Sequence, residues 1–141
     1  KPGKLTDEER EVIQSHTVEG AKIIITSDRE LDLAAAVAYE HHIMLNGGGY
    51  PKRFFTRDPH KASTLVHVCD VYDALRTKRP YRDAWETERV LVYLEEKSGT
   101  EFDPEIAVPF IKMMRELEGK VQAQAVELKA PPPVEGAAER K

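Results

Sequence analysis

Apolar residues along this chain recur three and four positions apart instead of alternating with polar ones, which is the spacing of helices packed on one face. Thr6-Asp7-Glu8-Glu9 has the form of a capping box ahead of Val12, Ile13 and His16, so a first helix is expected from about Asp7. Val18, Ala21, Ile24 and Ile25 continue the apolar stripe, and Gly20 beside them leaves room for a closely packed neighbour. Leu31 to Ile43 is rich in Ala and Leu and stops before Asn46-Gly47-Gly48-Gly49 and Pro51, which predicts a third helix delivering His41 and His42 at its C-terminal end. Ala62 to Arg76 reads as a buried helix through Leu65, Val66, Val68, Cys69, Tyr72 and Leu75, ending ahead of Pro80. Thr87 to Lys97 and Pro104 to Leu117 complete the set, the last with proline at its first position. No alternating segment is bounded by hairpin turns, so the expectation is an all-α domain of about six helices with no sheet.

The pattern fades after Gly119. Residues 120–141 contain only Val121, Val126, Leu128 and Val134 as large aliphatics, together with Ala130-Pro131-Pro132-Pro133, so this end is expected to be a fraying helix and a disordered tail. The folded unit is then residues 1–119. Over the whole chain, 141 residues with 40% hydrophobic and 33% charged side chains describe one soluble domain. No apolar run is long enough to span a bilayer, and Cys69, the single cysteine, cannot form an internal disulfide. Membrane insertion is not expected, and the cytoplasm is the default compartment. A net charge of −4 speaks against a surface devoted to DNA.

Six groups carry candidate chemistry. Adjacent helical side chains diverge by about 100°, so His41 and His42 suit two centres better than one; each could ligate a separate ion, or one could meet substrate. The plain alternative is a surface histidine beside a core histidine. Asp70 lies within Leu65-Val66-His67-Val68-Cys69-Asp70-Val71, where an unpaired buried carboxylate would be costly, and so asks for a cation or donors. Asp73, one turn on, could accept from the far nitrogen of a ligand histidine or be an ordinary surface acid. His16 shares the inward side of the first helix with Val12 and Ile13 and completes a set of three histidines and one aspartate. Beyond these, Asn46 to Pro51 offers glycine backbone for an anion and the Tyr50 ring for a base, while Arg76, Lys78, Arg79 and Arg82 group four cations suited to phosphate. His60 and His67 are expected to serve surface and packing roles, Cys69 to be buried, and Trp85 to pack against the helices.

Taken in order, Lys1-Pro2-Gly3-Lys4-Leu5-Thr6, Ser15-His16 through Gly20, His41-His42 with Gly49-Tyr50-Pro51, Cys69 to Leu75, Arg79-Pro80-Tyr81-Arg82, and Ser98-Gly99-Thr100 with Phe102-Asp103-Pro104 give a specific likeness. The sequence resembles the HD-GYP family, a branch of the HD phosphohydrolase superfamily whose members are bacterial cyclic di-GMP phosphodiesterases. The resemblance implies an HD-domain-like helical bundle around two or three divalent ions, iron or manganese, that hydrolyses cyclic di-GMP with metal-activated water and no protein nucleophile. By position it implies His16, His41, His42 and Asp70 as metal ligands and Asp73 as a supporting acceptor. Gly49, Tyr50 and Pro51, with Arg79 and Arg82, are implied as substrate contacts. It also implies a signalling protein with an N-terminal sensory or receiver region and a homodimer as partner.

The chain also departs from the family pattern. The family's His-Asp dyad and following Gly-Lys lie upstream of the Lys-Pro-Gly segment, and no His-Asp dipeptide occurs here. The expectation is a piece of a longer protein, inactive or weakly active alone. Ile43, Leu45-Asn46 and Arg76 replace residues common in the family. Two alternatives stand beside the enzyme: an HD-GYP-like module that binds or scaffolds without turnover, and a superfamily phosphohydrolase acting on another nucleotide.

Overall fold

A computed structural model describes residues 3–25 and 29–129, with side chains described as far as residue 125. It contains α1 (Asp7–Gln14), α2 (His16–Ile24), a 3-10 turn at Arg29–Leu31, α3 (Asp32–Glu40), α4 (Lys61–Arg76), α5 (Thr87–Lys97) and α6 (Pro104–Lys129). Among the described residues there is no strand, only isolated bridges pairing Ile43 with Gly49, Arg79 with Arg82 and Ser98 with Phe102. The expected all-α architecture is the observed one.

The capping box forms: Thr6 N–H donates to Glu9 Oε2 at 2.8 Å, and Glu9 N–H donates to Thr6 Oγ1 at 3.2 Å. α2 packs against α3 without needing glycine at position 20, since a β-carbon there would sit 3.9 Å from Ala38 Cβ, an ordinary packing distance. The main core lies between α4, α5 and α6 and comprises Val68, Val90, Leu91, Leu94, Phe102, Ala107, Phe110 and Ile111. Each such large side chain contributes on the order of 1.5–3 kcal/mol by leaving water. Asp103 caps α6 by accepting from Glu105 N–H at 2.9 Å, and Lys61 Nζ reaches its other oxygen at 2.5 Å, joining the starts of α4 and α6.

Several local expectations are corrected. The first helix breaks at Ser15, so His16 opens α2, and Val12 and Ile13 are exposed because no described element covers α1. α3 stops at Glu40 instead of Ile43. The Val37 and Ala38 carbonyls of its last turn are taken by the His41 ring, and Ile43 N–H closes a tight turn onto Glu40 O at 2.8 Å. On α4, Leu65, Val66 and Cys69 point outward, so Cys69 is exposed. α6 continues through Lys129, past the expected boundary at 119, but its contacts with the core end at Met114. The proline-rich stretch at 130–133, the rest of the tail at 134–141, and Lys1-Pro2 lie outside the described residues. No described helix is long and apolar enough to cross a membrane.

Candidate metal centre

His16 at the start of α2 and His41 just past α3 meet ring to ring. His16 Nδ1 lies 2.6 Å from Ile13 O, and His41 Nδ1 lies 2.9 Å from Ala38 O and 3.0 Å from Val37 O. Carbonyls only accept, so both Nδ1 atoms carry the proton and, in the neutral rings, both Nε2 atoms present lone pairs. Those Nε2 atoms are 3.3 Å apart. Two acceptors aimed at one point call for a cation between them. Nitrogens bound at about 2.1 Å to one tetrahedral ion are themselves about 3.4 Å apart, so the spacing fits a metal.

His42 joins the same cluster: ligand atoms of His16, His41 and His42 all lie within 4.8 Å of one another. The pair lies just past the end of α3, and its two ring centres are 4.1 Å apart. Burial and the adjacent His41 lower the His42 pKa to about 4, with Asp70 opposing them, so its ring is neutral near pH 7, the form that binds metal.

Asp70 reaches the cluster edge, with Oδ2 3.8 Å from His42 Nδ1. It is half-exposed instead of buried, so its place beside the histidines, and not a desolvation penalty, marks it. Asp73 is exposed and makes no hydrogen bond to the histidines. The Arg79 pKa is raised by its hydrogen bond to Tyr81 and, more weakly, by the negative charges of Asp70 and Asp73.

The glycine loop folds back over the cluster. Gly49 has φ +78°, and a β-carbon there would lie 2.0 Å from His42 O, so only glycine fits. Tyr50 N–H then donates to His42 O at 3.1 Å, and the Tyr50 ring lies 4.5 Å from the His42 ring at 31°, ahead of a cis bond to Pro51. Arg79 is exposed at the end of this face. Arg82 is engaged by other partners: its guanidinium donates to Ala74 O at the end of α4 and lies 5.7 Å from the Trp85 ring.

Glu40 and Glu101 were not singled out from the sequence, and His60 and His67, expected in surface and packing roles, make specific contacts. Glu40 is 2% exposed and accepts from Arg57, from His60 N–H at 2.7 Å and from Ser63 Oγ at 2.9 Å, anchoring the residue that precedes the histidine pair. Burial raises its pKa, but these donors outweigh it and hold the carboxyl below the usual range. His67 is buried and donates from Nδ1 to His41 O at 2.9 Å, and Glu101 lies beside it. The spacing of His67 and Asp70, three apart on one helix, was the available signal that both approach the same site. His60 caps α4 through Nδ1, which accepts from Ala62 N–H at 3.1 Å.

Comparison with known proteins gives the same outline. A family model described as HD domain matches residues 1–106. The chain is 35% identical over 118 residues to a cyclic di-GMP phosphodiesterase of Thermotoga maritima, covering 83% of this chain and 32% of the relative. It is 34% identical over 119 residues to the cyclic di-GMP phosphodiesterase response regulator RpfG of Xanthomonas campestris pv. campestris, covering 84% and 32%. It is also 36% identical over 107 residues to the 3'3'-cGAMP-specific phosphodiesterase 2 of Vibrio cholerae, covering 75% and 20%. The chain therefore spans about a third or less of these relatives.

Proposed function

The chain belongs to the HD domain family, and on that premise we propose that it is an HD-GYP-type phosphodiesterase domain hydrolysing cyclic di-GMP in a bacterial signalling protein. The observation that carries this reading is the opposed Nε2 pair of His16 and His41, 3.3 Å apart, with His42 beside it. His16, His41, His42 and Asp70 hold two or three divalent ions, iron or manganese. Bound there, such ions supply hydroxide near neutral pH and neutralise phosphoryl oxygens. Arg79 draws the phosphodiester toward the cluster as a fixed cation, and the partly exposed Tyr50 ring over His42 offers a face for a guanine base. The Gly49-Tyr50-Pro51 loop keeps that face in place. Arg82 supports the arginine turn from behind, through Ala74 O, instead of reaching for substrate.

The similarity to a 3'3'-cGAMP-specific relative favours one second reading, a mixed purine cyclic dinucleotide as substrate. Around the domain we propose a receiver or sensory region on the N-terminal side, as the response-regulator relative suggests, a homodimer, and a cytoplasmic setting. We place the folded unit at residues 1–119, since the described side chains from Lys120 to Ala125 are exposed. The test is turnover of cyclic di-GMP and of 3'3'-cGAMP by the full-length polypeptide with manganese or ferrous iron, alongside His41→Ala and Asp70→Ala. Loss of hydrolysis in both variants supports the enzyme. Nucleotide binding without hydrolysis by the unaltered protein would replace it with the scaffolding module.

A further inference from the structure

His67 and Glu101 sit where the main core meets the histidine cluster, and no step of the proposed reaction uses them. His67 is 5% exposed, and its Nδ1–H is the donor to the carbonyl of His41. Its Nε2 is buried, makes no hydrogen bond and faces Glu101 Oε1 at 3.6 Å. Glu101 is itself tied down by the Tyr93 hydroxyl, which donates at 3.1 Å. Its backbone carbonyl accepts from Leu45 N–H at 3.0 Å, while Thr100 O accepts from Asn46 N–H at 2.9 Å. The His67 ring also packs 5.2 Å from Phe102, a core residue. The His67 side chain thus grips the backbone of a histidine in the cluster, and the backbone carbonyls of Thr100 and Glu101 grip the start of the glycine loop.

We infer that His67, backed by Glu101, is a positioning residue that fixes the His41–Asn46 backbone so that the cluster histidines enter one centre. The inference rests on the metal reading above. A backbone carbonyl left free to rotate would let the His41 Nε2 drift from the His16 Nε2; hydrogen bonds made directly to a ligand ring typically carry about 10–100-fold in metal affinity, and this one acts a step further back, through the backbone that carries the ring.

The test compares His67→Leu, which fills the space without a donor, with His67→Asn, whose amide can donate from near the Nδ1 position. Hydrogen exchange of the Leu45, Asn46 and Tyr50 amides in the metal-free chain and titration with Co2+, followed by visible absorption, are the two readouts. His67→Leu should lose protection at those amides and bind Co2+ at least about tenfold more weakly, and His67→Asn should restore most of both. Unchanged protection and affinity in His67→Leu, or no restoration in His67→Asn, would overturn the inference. A wild-type chain that takes up no Co2+ would overturn the metal reading, and the exchange data would still decide whether His67 fixes the loop.

Discussion

The α-carbon of Gly49 stands so close to the carbonyl of His42 that the two positions are fitted to each other: a β-carbon at 49 would lie 2.0 Å from that oxygen. Gly49→Ala therefore pushes the loop off the histidine pair and also strains a backbone at φ +78°. The expected cost exceeds about 1 kcal/mol in denaturant unfolding, together with weaker Co2+ uptake. An alanine variant with wild-type stability and metal affinity would mean that the loop is free to move.

The opposed imidazoles give the metal prediction. His16→Ala and His41→Ala each remove one of two Nε2 donors that share a point, so each should bind Mn2+ or Co2+ at least about tenfold more weakly than the unaltered chain. Metal analysis after gel filtration checks this, and metal content in both variants equal to that of the unaltered chain would remove the cluster as a centre.

Glu40 joins α3, the 57–60 stretch and α4 through one buried carboxylate. Glu40→Ala leaves His60 N–H and Ser63 Oγ without their acceptor and should cost about 3 kcal/mol. Arg57→Ala should cost under about 1 kcal/mol, because the Arg57 side chain is 57% exposed. Thermal unfolding of the two variants reads the difference; equal losses would place the stabilisation in the ion pair and not in the buried acceptor.

The two arginines of the 79–82 turn should separate cleanly. Arg79→Ala is expected to raise the substrate concentration needed for half-maximal turnover with little change in melting temperature. Arg82→Ala should lower the melting temperature, because it strips a donor from Ala74 O and exposes Trp85. Measuring both quantities in both variants checks the assignment, and a reversed pattern would move the phosphate contact to Arg82.

Asp103 supplies a pH dependence remote from the centre. Burial raises its pKa, but Lys61 and the Glu105 N–H outweigh that and hold it below the ordinary value of 3.8. A carboxylate with a depressed folded pKa adds stability that is full above its unfolded pKa and disappears as pH falls through the folded one. Stability should therefore drop as the solution is acidified below about pH 4. Asp103→Asn should flatten that acid limb; an unchanged slope would assign it to other carboxylates.

The helices were legible because their signals are local. Thr6 and Glu9 lie within one turn, and Pro104 opens α6 where its missing N–H costs nothing. The histidine geometry was less so. The sequence places His41 and His42 side by side, but what joins them with His16 is the stop at Glu40, set by the His41 ring on Val37 and Ala38 carbonyls and by the returning glycine loop. Asp70 was found through a burial argument that does not hold, since Leu65, Val66 and Cys69 face outward on a helix only partly covered. His67 and Glu101 were missed because their meeting depends on α4 and the turn before α6 coming together, which no local pattern encodes.

Between Glu40 and Ile43 the chain works as a ruler. The two end residues are each 2% exposed, sunk on the interior side, and the two histidines between them turn to the cluster. Such a stretch tolerates exchange of side chains far better than a change of length. One residue added would send a histidine inward or Ile43 outward, spoiling interior and cluster together. The loop at 52–56, only a few positions on, has no residue as deeply buried as Glu40 or Ile43 and tolerates a change of length better. Homologous chains should accordingly vary in length after the Gly-Tyr-Pro turn and hold a constant count across Glu40-His41-His42-Ile43.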